Sequence, residues 1–511
     1  MRFHAKGRGG WWVLSVSLLS IVGFAASNSE LRLVDAVEGK DTATVRSLLR
    51  QHANVNAPQA DGATALAWAA HWDDVETADL LIRAGANVNA ANDYGVTPLS
   101  LACSNRNSEM VEKLLKAGAN ANAAQWNGET ALMTCARTGT LDAVKSLVAH
   151  GADVNAKETG QGQTALMWTL AEKHTDVARA LVEHGADVRA RSKSGFTPLM
   201  FTAQQGDLDA ARMLLAAGVN VNDASPQDGS ALVAASASGH QEFAIFLLEN
   251  GADPNAADAS GITALHYALQ KGMTVVSGVN VDPYVSHLFR PNMVELVKAL
   301  LAHGANPNAR LKQAPPHLML LYKPRLRLPG ATPLFLAAAT GDVNVMRMLV
   351  ASGADPLLGT TANTTPLMAA AGLGQQRDRT AEEEKNALEA VKLAVELGVD
   401  VNGAGERGMT ALGGAAMTGA NSIIQFLADS GAQINQRDRC GQTALSIAEG
   451  DPAELVDRSD RYRVHKNTAT LLRKLGADPT PPAEPVSQCQ HTRHNASKDT
   501  ERGEWMGLPP L

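Results

Sequence analysis

The chain has 511 residues, with 45 Lys and Arg against 52 Asp and Glu, and its net charge of −7 and pI near 6.1 argue against a nucleic-acid binder, which needs a strongly basic face. This length would ordinarily imply several compact domains with separate cores, unless the sequence repeats. Four cysteines in 511 residues form no legible disulfide framework.

Residues 1 to 25 read as an export signal. Arg2, Lys6 and Arg8 precede an apolar run from Trp11 to Phe24, and the small Ala25, Ala26 and Ser27 follow. The run is 14 residues, shorter than the roughly 20 a membrane-spanning helix needs, so cleavage is expected in preference to a permanent anchor. No later stretch is a candidate span, and a mature protein outside the cytoplasm, periplasmic or extracellular, is the expectation.

From residue 28 to 479 one unit recurs. A Thr, once a Ser, stands at 64, 97, 130, 164, 197, 230, 263, 332, 365, 410 and 443, mostly 33 residues apart. Ser194 to Ala224 shows what each position does. Gly195 suits a turn with positive φ, Thr197 can cap a helix through its hydroxyl, and Pro198 falls in the first turn, where no free N–H is needed. Leu199, Thr202 and Ala203 give this first helix a thin apolar face, and Gly206 ends it. A second helix carries Leu208, Ala211, Leu214 and Leu215 at the spacing of a buried stripe and stops at Gly218. Neither helix can bury its stripe alone, so stability has to come from stacking on the neighbouring units.

These Gly-x-Thr-Pro/Ala-Leu openings, with endings such as Gly85-Ala86-Asn87-Val88-Asn89 and Gly151-Ala152-Asp153-Val154-Asn155, resemble the ankyrin repeat. The resemblance implies an all-α solenoid of about twelve helix-turn-helix units with finger turns, and a protein that binds other proteins through fingers and inner helices.

The first unit, Leu31 to Ala57, has a more polar first helix and reads as an N-terminal cap. Units two to seven are regular. Insertions then fall near 273–292, 375–384 and 450–461, between the two helices of a unit, and near 311–329, in a finger. Glu382, Glu383 and Glu384 read as the start of a delayed second helix. Residues 480–511 form a Pro-rich, polar tail expected to be disordered.

Repeats also produce misleading motifs. Gly160-Gln161-Gly162-Gln163-Thr164-Ala165 has the letters of a dinucleotide loop without the strand before it, and reads as a finger and cap. Met133, Met167, Met200 and Met368 share one slot, held by His266 in another unit. A row of thioethers invites a copper site, but packing between inner helices is the expected role. His150, His184 and His303 stand at second-helix ends, where an imidazole meets the negative end of the helix dipole. Cys103 and Cys135 lie in first helices of adjacent units; with helices about 8–10 Å apart they are expected to be buried thiols beyond disulfide reach. Cys489, His491 and His494 could catch a metal ion in the tail but have no rigid second shell. No catalytic motif, cofactor or metal site is expected.

Candidate binding residues are those exposed against expectation. Tyr94 and Trp126 stand at the tips of consecutive fingers and Trp72 ends the first helix of unit two. Buried aromatics dominate binding hot spots, although these rings could instead pack on neighbouring fingers. The insertion of 311–329 carries Tyr322, Lys323, Arg325 and Arg327 with no acid, which suits an acidic partner, or it could fold back over the inner helices. The leading expectation is a non-enzymatic, exported scaffold binding a protein partner through its concave face, fingers and insertions, the basic insertion being preferred to the aromatic tips, with no nucleic acid and no stable membrane span after cleavage. A rival is a redox or metal-linked exported protein whose solenoid docks a haem or metal partner.

Overall fold

A computed structural model describes residues 32–272, 291–313, 328–375, 378–450 and 464–480. The export stretch, the tail beyond Thr480 and most of the insertions near 273–292, 311–329 and 450–461 lie outside the described residues. The fold is all-α apart from short hairpin pairings, and it groups into two compact units, 1–160 and 161–511.

The first unit contains α1 (Arg32–Glu38), α2 (Thr42–Arg50), α3 (Ala65–His71), α4 (Val75–Arg83), α5 (Pro98–Ser104), α6 (Ser108–Lys116), α7 (Ala131–Thr138) and α8 (Leu141–Ala149). Each odd-numbered helix packs on the even one after it and on the odd helices to either side, so the core is a line of interfaces with no centre. Small residues set the inner layer: Ala69, Ala70, Ala102 and Ala136 are buried between α3, α5 and α7. The second unit repeats this plan from the pair Ala165–Ala171 and Thr175–Glu183 to the pair Ala444–Glu449 and Lys466–Lys474.

Helix starts follow the Thr cap. The Thr197 side chain accepts from the Met200 amide and Thr130 from Met133, while Thr97 and Thr443 form capping boxes with Ser100 and Ser446. Ser230 is different: its hydroxyl is buried and makes no cap bond. In the helix Leu208–Ala216, Ala210, Ala211 and Leu214 are buried while Leu208 and Leu215 are only half-buried. The stripe is therefore narrower than its sequence spacing implies, and the helix packs on the first helix of its own unit and on the second helix of the unit before.

The extra residues of the 375–384 insertion mostly lengthen a helix. The second helix there, Ala381–Glu396, opens 16 residues after Thr365, where Val75 follows Thr64 by 11, and runs for 16 residues against 9 in α4. Thr380 and Glu383 close its capping box, Thr380 donating its amide to Glu383 Oε2 at 2.9 Å. Glu384 accepts from the Ser422 amide at 3.0 Å in the next unit.

The expectation for Cys103 and Cys135 is overturned, since the two are joined by a disulfide with Cα atoms 4.6 Å apart. An axis spacing of about 8–10 Å leaves facing Cα atoms, each about 2.3 Å from its axis, about 4–5 Å apart. The two cysteines are 32 residues apart, one less than the repeat, so they occupy facing and not equivalent positions. Cys440 is disulfide-bonded as well.

Candidate protein-interaction surface

The fingers are hairpin turns held by backbone pairing. In the second unit β1 (Ala224–Ser225) and β2 (Gly229–Ser230) pair antiparallel, and single bridges such as Ala124 with Thr130 do the same in other fingers. Successive fingers are then tied tip to tip. Asp93 N–H donates to the Asp61 carbonyl at 2.9 Å, Trp126 N–H to Tyr94 at 3.1 Å, and Thr159 N–H to Asn127 at 2.7 Å. This close approach requires glycine at Gly95: its φ is +75°, and a Cβ there would sit 2.9 Å from Gln125 Cα. The tip residues thus ride on an ordered backbone ladder before any partner arrives.

The second inter-repeat ladder is made by the Asn that ends each unit. Asn89 Nδ2 donates to the Gly118 carbonyl at 3.1 Å, while its Oδ1 accepts from the Asn120 amide at 2.6 Å. Asn56, Asn122, Asn222, Asn255 and Asn308 make the same pair of bonds. A carbonyl at a helix end and the next amide are satisfied together. Arg189 substitutes for Asn in one unit, bonding Gly218 O through its guanidinium, and Leu357 stands in the slot in another, exposed.

Three large aromatics project from the first unit, in two environments. Trp72 is 38% exposed; its ring stacks on Trp68 at 5.9 Å between centroids, and Lys40 Nζ sits 4.0 Å over it. Trp72 also lies at the far end of α3 from the finger, about 12 Å along the helix axis from Thr64. It does not join the fingertips. Tyr94 and Trp126 are 61% and 75% exposed, and no ring or cation contact engages either among the described residues. A comparable finger aromatic in the second unit, Phe196, is instead packed edge-on against Phe201 at 5.5 Å.

Tyr322, Lys323, Arg325 and Arg327 lie outside the described residues, as do Cys489, His491 and His494. Met133, Met167, Met200 and Met368 are buried in the inner layer with Phe335 and His266 in the same slot. His150 and His184 bond the carbonyls of Ser146 and Ala180 through Nδ1, at 2.8 and 2.7 Å, closing their helix ends. An aromatic position missed in the sequence reading is the fourth after the capping Thr, where Trp68, Trp168, Phe201 and Tyr267 stand on inner helices. That fixed offset was available as a signal.

Stacked helix pairs carrying a hydrogen-bonded row of finger turns define the class as a helical repeat protein. The family model for ankyrin repeats matches residues 33–125, 118–192, 199–279 and 287–378, and a single-repeat model matches 260–312. The chain belongs to the ankyrin-repeat family. Beyond residue 378 the same helix pairing continues to Lys474. Among curated relatives, the chain is similar to mouse B-cell lymphoma 3 protein homolog, 31% identical over 124 residues, covering 22% of this chain and 24% of that protein. It is also similar to bovine mitochondrial disaggregase, 29% identical over 206 residues, covering 39% of this chain and 26% of that protein. The chain therefore spans about a quarter of the length of these relatives.

Proposed function

We propose that this chain is an exported, non-catalytic scaffold that binds a partner polypeptide through its fingers and inner-helix face. Ankyrin repeats generally mediate protein–protein interaction, and the observation that carries the reading is the pair Tyr94 and Trp126. Two large aromatics stand exposed on consecutive tips tied by a backbone hydrogen bond, so binding would bury them with little ordering cost. The Cys103–Cys135 bond supports export, because cytosolic thiols are kept reduced and structural disulfides belong to oxidising compartments.

A photo-crosslinking side chain placed at position 126, and separately at Lys116 on a second helix, tests the reading in native extract. Partner adducts from the finger and not from position 116 are expected; equal labelling from both would remove the fingers as the binding surface. For export, a reporter carrying residues 1 to 30 should cross the membrane, and the mature chain should begin near Ala26. A mature chain that still starts at Met1 would refute export by cleavage.

A further inference from the structure

We propose that the first-unit fingertips bind a cationic polypeptide segment, one presenting arginine or lysine side chains to Tyr94 and Trp126. This rests on the binding reading above and adds the chemistry of the partner. The first three fingers, residues 58–63, 90–96 and 123–129, contain Asp61, Asp93 and Glu129 and no Lys, Arg or His. Arg137 answers Glu129 from α7 at 3.7 Å. Asp61 and Asp93 have no ion-pair partner among the described residues, and Asp93 is exposed directly beside Tyr94. Among the described residues the Asp61 carboxylate accepts only a local amide, that of Ala63 at 3.0 Å. The cation-free row ends at the following finger with Lys157.

An electron-rich aromatic face next to an unanswered carboxylate is a site for a guanidinium or ammonium group, which gains from the ring quadrupole and the charge together. The molecule shows the same chemistry internally, with Lys40 over Trp72. Carboxylates without a nearby cation repel phosphate, so nucleic acid and anionic lipid are poor occupants of these tips. The partner charge called for here is opposite to the one suited to the basic stretch of residues 312–327.

The probe is a short labelled Gly-Ser peptide carrying several arginines, compared with the same peptide carrying glutamates, by fluorescence anisotropy on the full chain near physiological ionic strength. The arginine peptide should bind and the glutamate peptide should not. Tyr94→Ala with Trp126→Ala should weaken binding about tenfold, and Asp93→Asn about threefold, with melting temperatures unchanged because all three side chains are exposed. Equal binding of the arginine peptide to the double variant would overturn the proposal, since the net negative charge of the whole chain would then be the cause. Self-association of the wild type that is lost in the double variant would also overturn it by assigning the tips to a second copy. Persistent crosslinking of a native partner from position 126 that the arginine peptide does not displace would leave the binding reading standing and refute the cationic one.

Discussion

His266 is a fully buried base in an otherwise apolar slot. Its Nδ1 lies 2.9 Å from Thr263 Oγ1, and burial pushes its pKa down from 6.5 to about 4, only partly offset by backbone groups of Ala331 and Ala309. The unfolded chain therefore binds a proton more readily than the folded one between pH 6.5 and about 4. Stability from this group is complete above about pH 6.5 and is lost as the pH falls to about 4, a change of about 3 kcal/mol. Nearby Asp258 has the opposite sign: burial raises its carboxyl pKa, the Tyr267 hydroxyl notwithstanding. Replacing His266 with Met, the residue found in four other units, should flatten the pH dependence in this window. Thermal melts of the two proteins across pH 4 to 7 check this, and parallel curves would show that another group controls the acid limb. A second residue-scale feature is the left-handed turn after the first helix, occupied by Gly139 and Gly206 but also by Lys40, Asp73, Arg106 and Lys173. A side chain there costs about 1 kcal/mol, so Arg106→Gly, at φ 64°, should raise stability by about that amount in urea unfolding.

At the scale of elements, the fold depends on what joins one helix pair to the next. The Asn ladder carries two bonds per junction, so Asn89→Ala strands the Gly118 carbonyl and the Asn120 amide at a water-accessible edge and should cost about 1–2 kcal/mol. The reciprocal test is Leu357→Asn. Leu357 is exposed in the ladder slot, and an Asn there should add up to about 1 kcal/mol by completing the missing pair. Loss of stability in that variant would mean that the Gly398 junction has a different geometry. The ladder also explains the repeated Asn of the Gly-Ala-Asx-x-Asn endings: the period was legible in the residues, but the purpose of this amide was not, because its partners lie 29 and 31 residues away. The insertion of 375–384 shows a similar limit. Its length was countable and Glu382 to Glu384 marked a helix start, yet only the stacked neighbour, with Ser422 waiting for Glu384, shows why the added residues form helical turns.

At the scale of the molecule, an array without a central core can open at a single interface, and the Cys103–Cys135 bond closes one such interface covalently. With the cysteines 32 positions apart in sequence, the chain-entropy account assigns the bond about 3–4 kcal/mol. The Cys103→Ala, Cys135→Ala variant should lose that stability against the oxidised wild type in urea unfolding without reductant, a condition that leaves the bond at Cys440 in place in both proteins. A variant as stable as the oxidised protein would show that stacking alone holds the junction. Among the described residues no helix is long and apolar enough to cross a membrane.

The architecture was determined by the sequence alone, because each unit states its own caps, stops and apolar faces within 33 residues, and a one-dimensional stack asks for nothing more distant than the next copy. The Thr caps, the helix-ending His150 and His184, and the buried row of Met residues follow from local spacing for the same reason. Contacts between copies were decided only by the tertiary structure. A helix-axis distance does not reveal that Cys103 and Cys135 face each other with Cα atoms 4.6 Å apart. Nor does a sequence show that Trp72 is covered by Trp68 and Lys40 while Tyr94 and Trp126 are left to solvent. Those outcomes depend on which side of a helix meets its neighbour and on how far one finger reaches over the next, and both are properties of the stack as assembled.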